Sequence, residues 1–115
     1  MKVIHHNDVE LHEVKIEGAK SAQIGRVLAK NDGAPNFSMR IFKLEEGGHT
    51  PFHAHEWEHE IFAVAGEGEI VTENDGIIKL IAGTAALINS NEKHQFRNTT
   101  TEPFKFLCLV PNAYD

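Results

Sequence analysis

Turn residues recur along this sequence at intervals too short for helices to develop between them. Asn31-Asp32-Gly33, Glu46-Gly47-Gly48, Gly66-Glu67-Gly68, Asn74-Asp75-Gly76, Gly83, Asn89-Ser90-Asn91 and Asn98-Thr99 cut it into short pieces. The pieces Phe37–Leu44, Glu60–Ala65, Ile77–Ile81, Ala85–Ile88 and Phe104–Val110 are rich in Ile, Val, Leu and Phe, as half-buried or buried strands are. Closely spaced strands separated by turns predict an all-β sandwich or barrel. No amphipathic helical stretch, internal repeat, low-complexity segment or linker competes with that reading. Asp75-Gly76 is the clearest hairpin turn, because a tight primed turn needs positive φ, which Asp tolerates and Gly adopts freely.

Alternation gives the inward faces of two strands. In Phe104–Val110 the period of two sets Phe104, Phe106, Cys108 and Val110 together, with Lys105 marking the other face. That other face also carries Leu107 and Leu109, so it calls for cover by an N-terminal strand or a second subunit. In His94-Gln95-Phe96-Arg97-Asn98 the same rule points His94, Phe96 and Asn98 one way. Phe37–Leu44 is ambiguous, since Arg40 and Lys43 fall on opposite faces.

At 115 residues the chain has the size of one domain, residues 1–115, with residues 1–20 expected as an N-terminal strand segment contributing to a dimer contact. No apolar run approaches the roughly 20 residues of a membrane helix. The start, Met1-Lys2-Val3-Ile4-His5-His6, lacks the apolar core of a signal peptide, which leads us to expect the cytoplasm. The net charge is −6 with no basic stripe, an argument against nucleic acid as a partner. One cysteine, Cys108, excludes an intrachain disulfide.

Four of the eight histidines fall between Gly48 and Glu60: His49, His53, His55 and His59. On a strand, His53 and His55 would point to one face and reach a single ion. Glu56-Trp57-Glu58 would turn the chain back, and His59 would open the next strand. A fourth ligand must come from a distant strand. His94 has a turn before it and the right parity.

These residues resemble the two motifs of the cupin family. Gly47, His53-x-His55, Glu60 and Gly66 match the first; Gly83, Asn89, Asn91, His94 and Asn98 match the second. The resemblance implies a double-stranded β-helix, a jelly-roll barrel with a metal near one open end. The usual ligands are three histidines and a glutamate. At the two spacings where the glutamate falls, this chain has His59 and Glu60, and our reading gives the metal position to His59. Ala34-Pro35-Asn36-Phe37, Trp57-Glu58-His59-Glu60-Ile61-Phe62 and Phe106-Leu107-Cys108-Leu109-Val110-Pro111 also look like the small single-domain cupins with a four-histidine manganese site. The expected ligands are therefore His53, His55, His59 and His94, with no organic cofactor. Asn89 and Asn91 stand where the second motif usually has proline and glycine; Asn tolerates a left-handed turn, so the loop should survive.

Neutral imidazoles leave the charge of a divalent ion uncompensated, which favours an anionic, chelating small molecule as substrate. Imidazole donors suit zinc, copper, nickel or iron; the resemblance tilts the expectation to manganese or iron. With no carboxylate among the ligands, the leading expectation is an oxidoreductase of the dioxygenase type. A non-redox lyase or isomerase is the second reading, and a binding or sensing module without turnover the third. No catalytic residue is assigned, although Cys108 would lie close behind the metal, where oxidation could reach it or where it could simply fill space. Glu60 is expected to face outward, His49 to sit on the rim, and His5, His6 and His12 to lie in an exposed N-terminal segment. Phe37, Phe52, Phe62, Phe96, Phe104 and Phe106 are expected in the core or pocket lining, and Trp57 at the hairpin end. The apolar Leu107 and Leu109 predict a homodimer.

Overall fold

The computed structural model describes residues 1–115. It has nine strands: β1 (His12–Glu13), β2 (Lys20–Leu28), β3 (Phe37–His49), β4 (His59–Ala65), β5 (Glu67–Thr72), β6 (Ile77–Ile81), β7 (Ala85–Ile88), β8 (His94–Arg97) and β9 (Phe104–Pro111). Single 3-10 turns lie at His6–Asp8, Lys30–Asp32 and Asn112–Tyr114. The strands pair antiparallel in the order β6-β5-β8-β3-β9-β4-β7, with β2 on the other side of β3 and β1 on β2. The two ends of that path, β6 and β7, are consecutive in the chain and joined only by Ala82-Gly83-Thr84. The path must therefore curl back on itself, and it does so as the expected all-β, nearly closed jelly-roll barrel. No helix is long and apolar enough to cross a membrane.

The interior follows the alternation read in β9. Phe104, Phe106, Cys108 and Val110 are at most 1% exposed and join Leu44, Ile61, Ala63, Ile70, Leu80, Ile88 and Phe96 in one core. The ambiguous β3 resolves because both its faces are covered. Leu44, opposite Phe104, packs in the barrel core, and Phe42 packs against that core. Ile41 packs outward with Val9 and Val27, beneath Ile4 and Leu11 of the N-terminal segment, and Leu107 joins that smaller cluster. Part of the apolar face of β9 is thus covered from within the chain.

Three local features differ from the sequence expectation, each at glycine. The strand β2 was not foreseen, and its Gly25 sits where the N-terminal segment crosses: a Cβ there would lie 2.6 Å from the Glu10 carbonyl oxygen and from Val9. Nor was β5, where Gly68 leaves room for the Phe104 ring, 2.3 Å from where a Cβ would be. Glu46-Gly47-Gly48 is not a chain reversal; β3 runs through it to His49, with Gly47 at φ +75° and a register shift against β2.

The Asp75-Gly76 hairpin forms, but with a longer loop than a tight primed turn. Only Gly76 has positive φ, and the Thr72 hydroxyl accepts from Asp75 N–H and donates to the Gly76 carbonyl. Of the six phenylalanines expected inside, Phe37, Phe52 and Phe62 are 59%, 42% and 44% exposed. Phe62 alternates with inward Ile61 and Ala63 on β4, and alternation puts it outside.

Candidate metal centre

The four histidines arrive from three directions. His59 opens β4 and His94 opens β8, both buried. His53 follows β3 in an isolated bridge with His94, each accepting the other's backbone N–H at 3.1 and 2.9 Å. His55 lies in a loop rather than on a strand, so the pairing expected from strand alternation is produced by that bridge and by Asn91 N–H donating to the His55 carbonyl at 2.7 Å. Asn91 has φ +63°, the left-handed conformation expected of Asn there. His53, His55 and His94 each offer a ring nitrogen, all within 4.8 Å of one another. His59 is outside that set but meets it at one edge, its Nε2 3.0 Å from Nε2 of His94.

The atoms behind the rings determine which nitrogens face inward. Nδ1 of His55 is 2.8 Å from the Trp57 carbonyl, and Nδ1 of His94 is 2.7 Å from the Glu92 carbonyl. A carbonyl only accepts, so both Nδ1 atoms carry the proton and both Nε2 atoms present lone pairs. Behind His59 is Cys108, its Sγ 2.9 Å from Nδ1. A thiol can donate or accept. With no ion, the Nε2 of His59 donates to that of His94 while the thiol donates to Nδ1. With Nδ1 protonated and donating to sulfur, Nε2 of His59 is free to ligate. Cys108 therefore supports either tautomer without losing a hydrogen bond, and the donor set fits a divalent ion.

Burial keeps the rings of His59, His94 and His53 neutral. It holds His59 well below the ordinary imidazole range, at about 3, helped by His94, His55, Arg40 and His53; burial also lowers His94, and burial followed by His55 lowers His53. The folded value lies below the unfolded one, so the unfolded chain takes up protons first and stability falls as pH drops from about 6.5 toward 3. Metal-free protein should lose on the order of 1 kcal/mol per pH unit over that window. Urea midpoints measured at pH 7 and pH 5 check this, and His59→Gln should flatten the loss. Burial likewise pushes the Cys108 thiol up, more than Arg40 lowers it, so it is a poor thiolate.

The rings open onto a cavity of about 200 Å³, whose other walls include Val14, Ile24, Phe42, Phe96, Phe106 and Arg40. At the mouth, Trp57 stacks on His55 with centroids 4.1 Å apart, and Tyr114 stacks on Trp57 at 4.4 Å. The sequence did not single out Tyr114, Ile24 or a role for Arg40, since nothing local in the chain links them to the histidines. Glu60 is exposed, opposite Leu87 and Leu109 on the outer face. His49 lies at the end of β3 beside Thr50 and Gln95, and His5 and His12 are exposed, while His6 is partly buried.

Residues 40–110 match the cupin domain family. L-ectoine synthase of Saccharophagus degradans is 31% identical over 85 residues, 73% of this chain and 62% of that protein. L-ectoine synthase of Hahella chejuensis is 33% identical over 73 residues, 63% of this chain and 54% of that protein. The chain thus spans less than two thirds of the length of either curated relative. The polyketide cyclase RemF from Streptomyces resistomycificus superposes with a TM-score of 0.91 at 33% identity, covering 97% of this chain and 80% of that one. A synthase and a cyclase overturn the leaning toward an oxidoreductase. The physical reason is that a set of neutral donors favours Lewis acidity as such, and polarising a carbonyl needs no change of oxidation state.

Proposed function

This chain belongs to the cupin domain family, and on that premise we propose that it is a non-redox, metal-dependent enzyme that closes a ring in a small oxygen-chelating substrate with loss of water. The observation that carries this reading is the convergence of imidazole nitrogens, three with their outer nitrogens tied, on the floor of an apolar-walled cavity. The likeness to a polyketide cyclase and to L-ectoine synthase supports the ring-closing chemistry. His53, His55, His59 and His94 would hold the ion, manganese or iron in this reading. When bound, it supplies Lewis-acid polarisation of a substrate oxygen.

The chain's own residues do the rest. Phe42, Phe96 and Phe106 exclude bulk water, which favours a condensation over its reversal by hydrolysis. They also present flat faces against which an unsaturated chain can fold with its reacting ends together. In the reaction a nucleophilic atom of the substrate bonds to its own carbonyl carbon. The carbon–oxygen bond then breaks, and the oxygen leaves as water with two protons from the substrate.

The test is anaerobic turnover of a panel of polyketones and amino-carbonyl compounds by protein purified without nickel affinity, with its metal content determined. A product lighter than its substrate by one water, formed equally with and without dioxygen, is expected. Turnover that stops when dioxygen is removed would overturn the reading.

A further inference from the structure

Arg40 occupies the cavity wall, and its charge has no counterpart there. It lies in the middle of β3, opposite Arg26 of β2 and Cys108 of β9 in the ladder, with its guanidinium carbon 5.4 Å from the centre of the Phe42 ring. One Nη donates to Cys108 Sγ at 3.0 Å, while the buried Nε has no partner. No Asp or Glu lines the cavity. The carboxylate that approaches from the C-terminal end, Asp115, accepts from Nε of Arg26 at 3.2 Å. Asp115 is thus paired with Arg26, and Arg40 makes no ion pair.

A partly buried guanidinium without an anion is costly to keep, because desolvation of the charge is not repaid. Neither the thiol nor the imidazoles of the cavity supply a negative charge. A divalent ion on the histidines would add to the imbalance. The cavity therefore selects for negative charge at the end where Arg40 stands, and a guanidinium presents a planar fork suited to two oxygens at once.

Resting on the metal-centre reading above, we propose that Arg40 binds the carboxylate of the substrate, and that the substrate is an α- or β-oxygenated carboxylate. The spacing carries the second half: only the sulfur of Cys108 stands between the Arg40 fork and the His59 ring. The carboxylate and the oxygen directed at the histidines must belong to one short fragment, with the rest of the molecule lying along Phe42 and Phe106. Arg40 is then a binding residue that fixes which end of the substrate enters first.

Trp57 is the single tryptophan and stands at the cavity mouth, so its fluorescence reports occupancy. Metal-loaded protein would be titrated with pyruvate and acetoacetate and with their methyl esters, beside Arg40→Met and Arg40→Lys variants. A charge-assisted bond of this kind is expected to make the acids bind about 10- to 100-fold more tightly than the esters. Arg40→Met should remove that preference while leaving ester binding and metal content unchanged, and Arg40→Lys should restore part of it. Equal binding of acid and ester by the unsubstituted protein would overturn the proposal even if a variant failed to fold, as would an undiminished preference in Arg40→Met at equal metal content. Metal analysis of the same samples separates the two readings: an Arg40-dependent preference in protein that holds no metal would overturn the histidine assignment and leave this one standing.

Discussion

His94→Ala should abolish stoichiometric metal binding. The substitution removes a ring whose nitrogen lies within 4.8 Å of those of His53 and His55 and whose Nε2 is 3.0 Å from that of His59, so it takes away a donor close to all three others. The backbone bridge to His53 can survive, because it uses only N–H and carbonyl groups. The fold is therefore expected to persist while metal content, measured by elemental analysis after dialysis, falls by more than the roughly 10- to 100-fold typical of losing a group behind a ligand. The stabilisation that excess metal gives the unsubstituted protein should vanish with it, since metal raises the melting temperature only by binding the folded state. Metal content unchanged from the parent would show that the centre lies elsewhere.

Phe104→Ala should be the most destabilising single truncation in the barrel. The ring is fully buried and rests on Gly68, which has no side chain to move into the space left behind. Truncating a buried phenylalanine costs about 3–5 kcal/mol, and the upper part of that range applies where the site cannot collapse. Urea denaturation should give a loss of about 4 kcal/mol or more, and calorimetry a melting temperature lower by on the order of 15 °C. Gly68→Ala alone should also destabilise, by overpacking against the ring. In the Phe104→Ala background the same substitution should be neutral or favourable, because the contact it violates has gone. Additive losses in the double variant would argue against that packing.

The clustering of the histidines was legible in the sequence because a family motif fixes residue types at particular spacings, and such demands survive in one dimension. The inward set of β9 was equally legible, since alternation needs only neighbours. What was lost depended on distant contacts. Gly25 and Gly68 look like strand breakers until the Val9–Glu10 crossing and the Phe104 ring are in place, so β2 and β5 were passed over. Gly47 and Gly48 have the composition of a turn but form the bend that lets β3 continue to His49. Arg40 stayed ambiguous because β3 is covered on both faces, one by the barrel interior and the other by the N-terminal segment. The redox expectation failed for a different reason: a ligand set fixes the Lewis acid and leaves the reaction open.

The pairing of β3 bears on how the chain comes off the ribosome. Phe37 to Leu44 pair with Pro111 to Phe104, so the central ladder joins an early strand to the last one. Until β9 emerges, β3 has β2 along one edge and only the pairing of His49 with Arg97 of β8 at the end of the other, so the Phe37 to Leu44 stretch of that edge stays open. The histidine cluster is completed by the same event, because Cys108, which backs His59, lies on β9. Contacts this distant are slow to form. A nascent chain stalled before residue 104 would therefore expose the edge of β3 with His53, His55, His59 and His94 already synthesised and no barrel to enclose them, a form open to strand pairing with its neighbours and to the wrong metals.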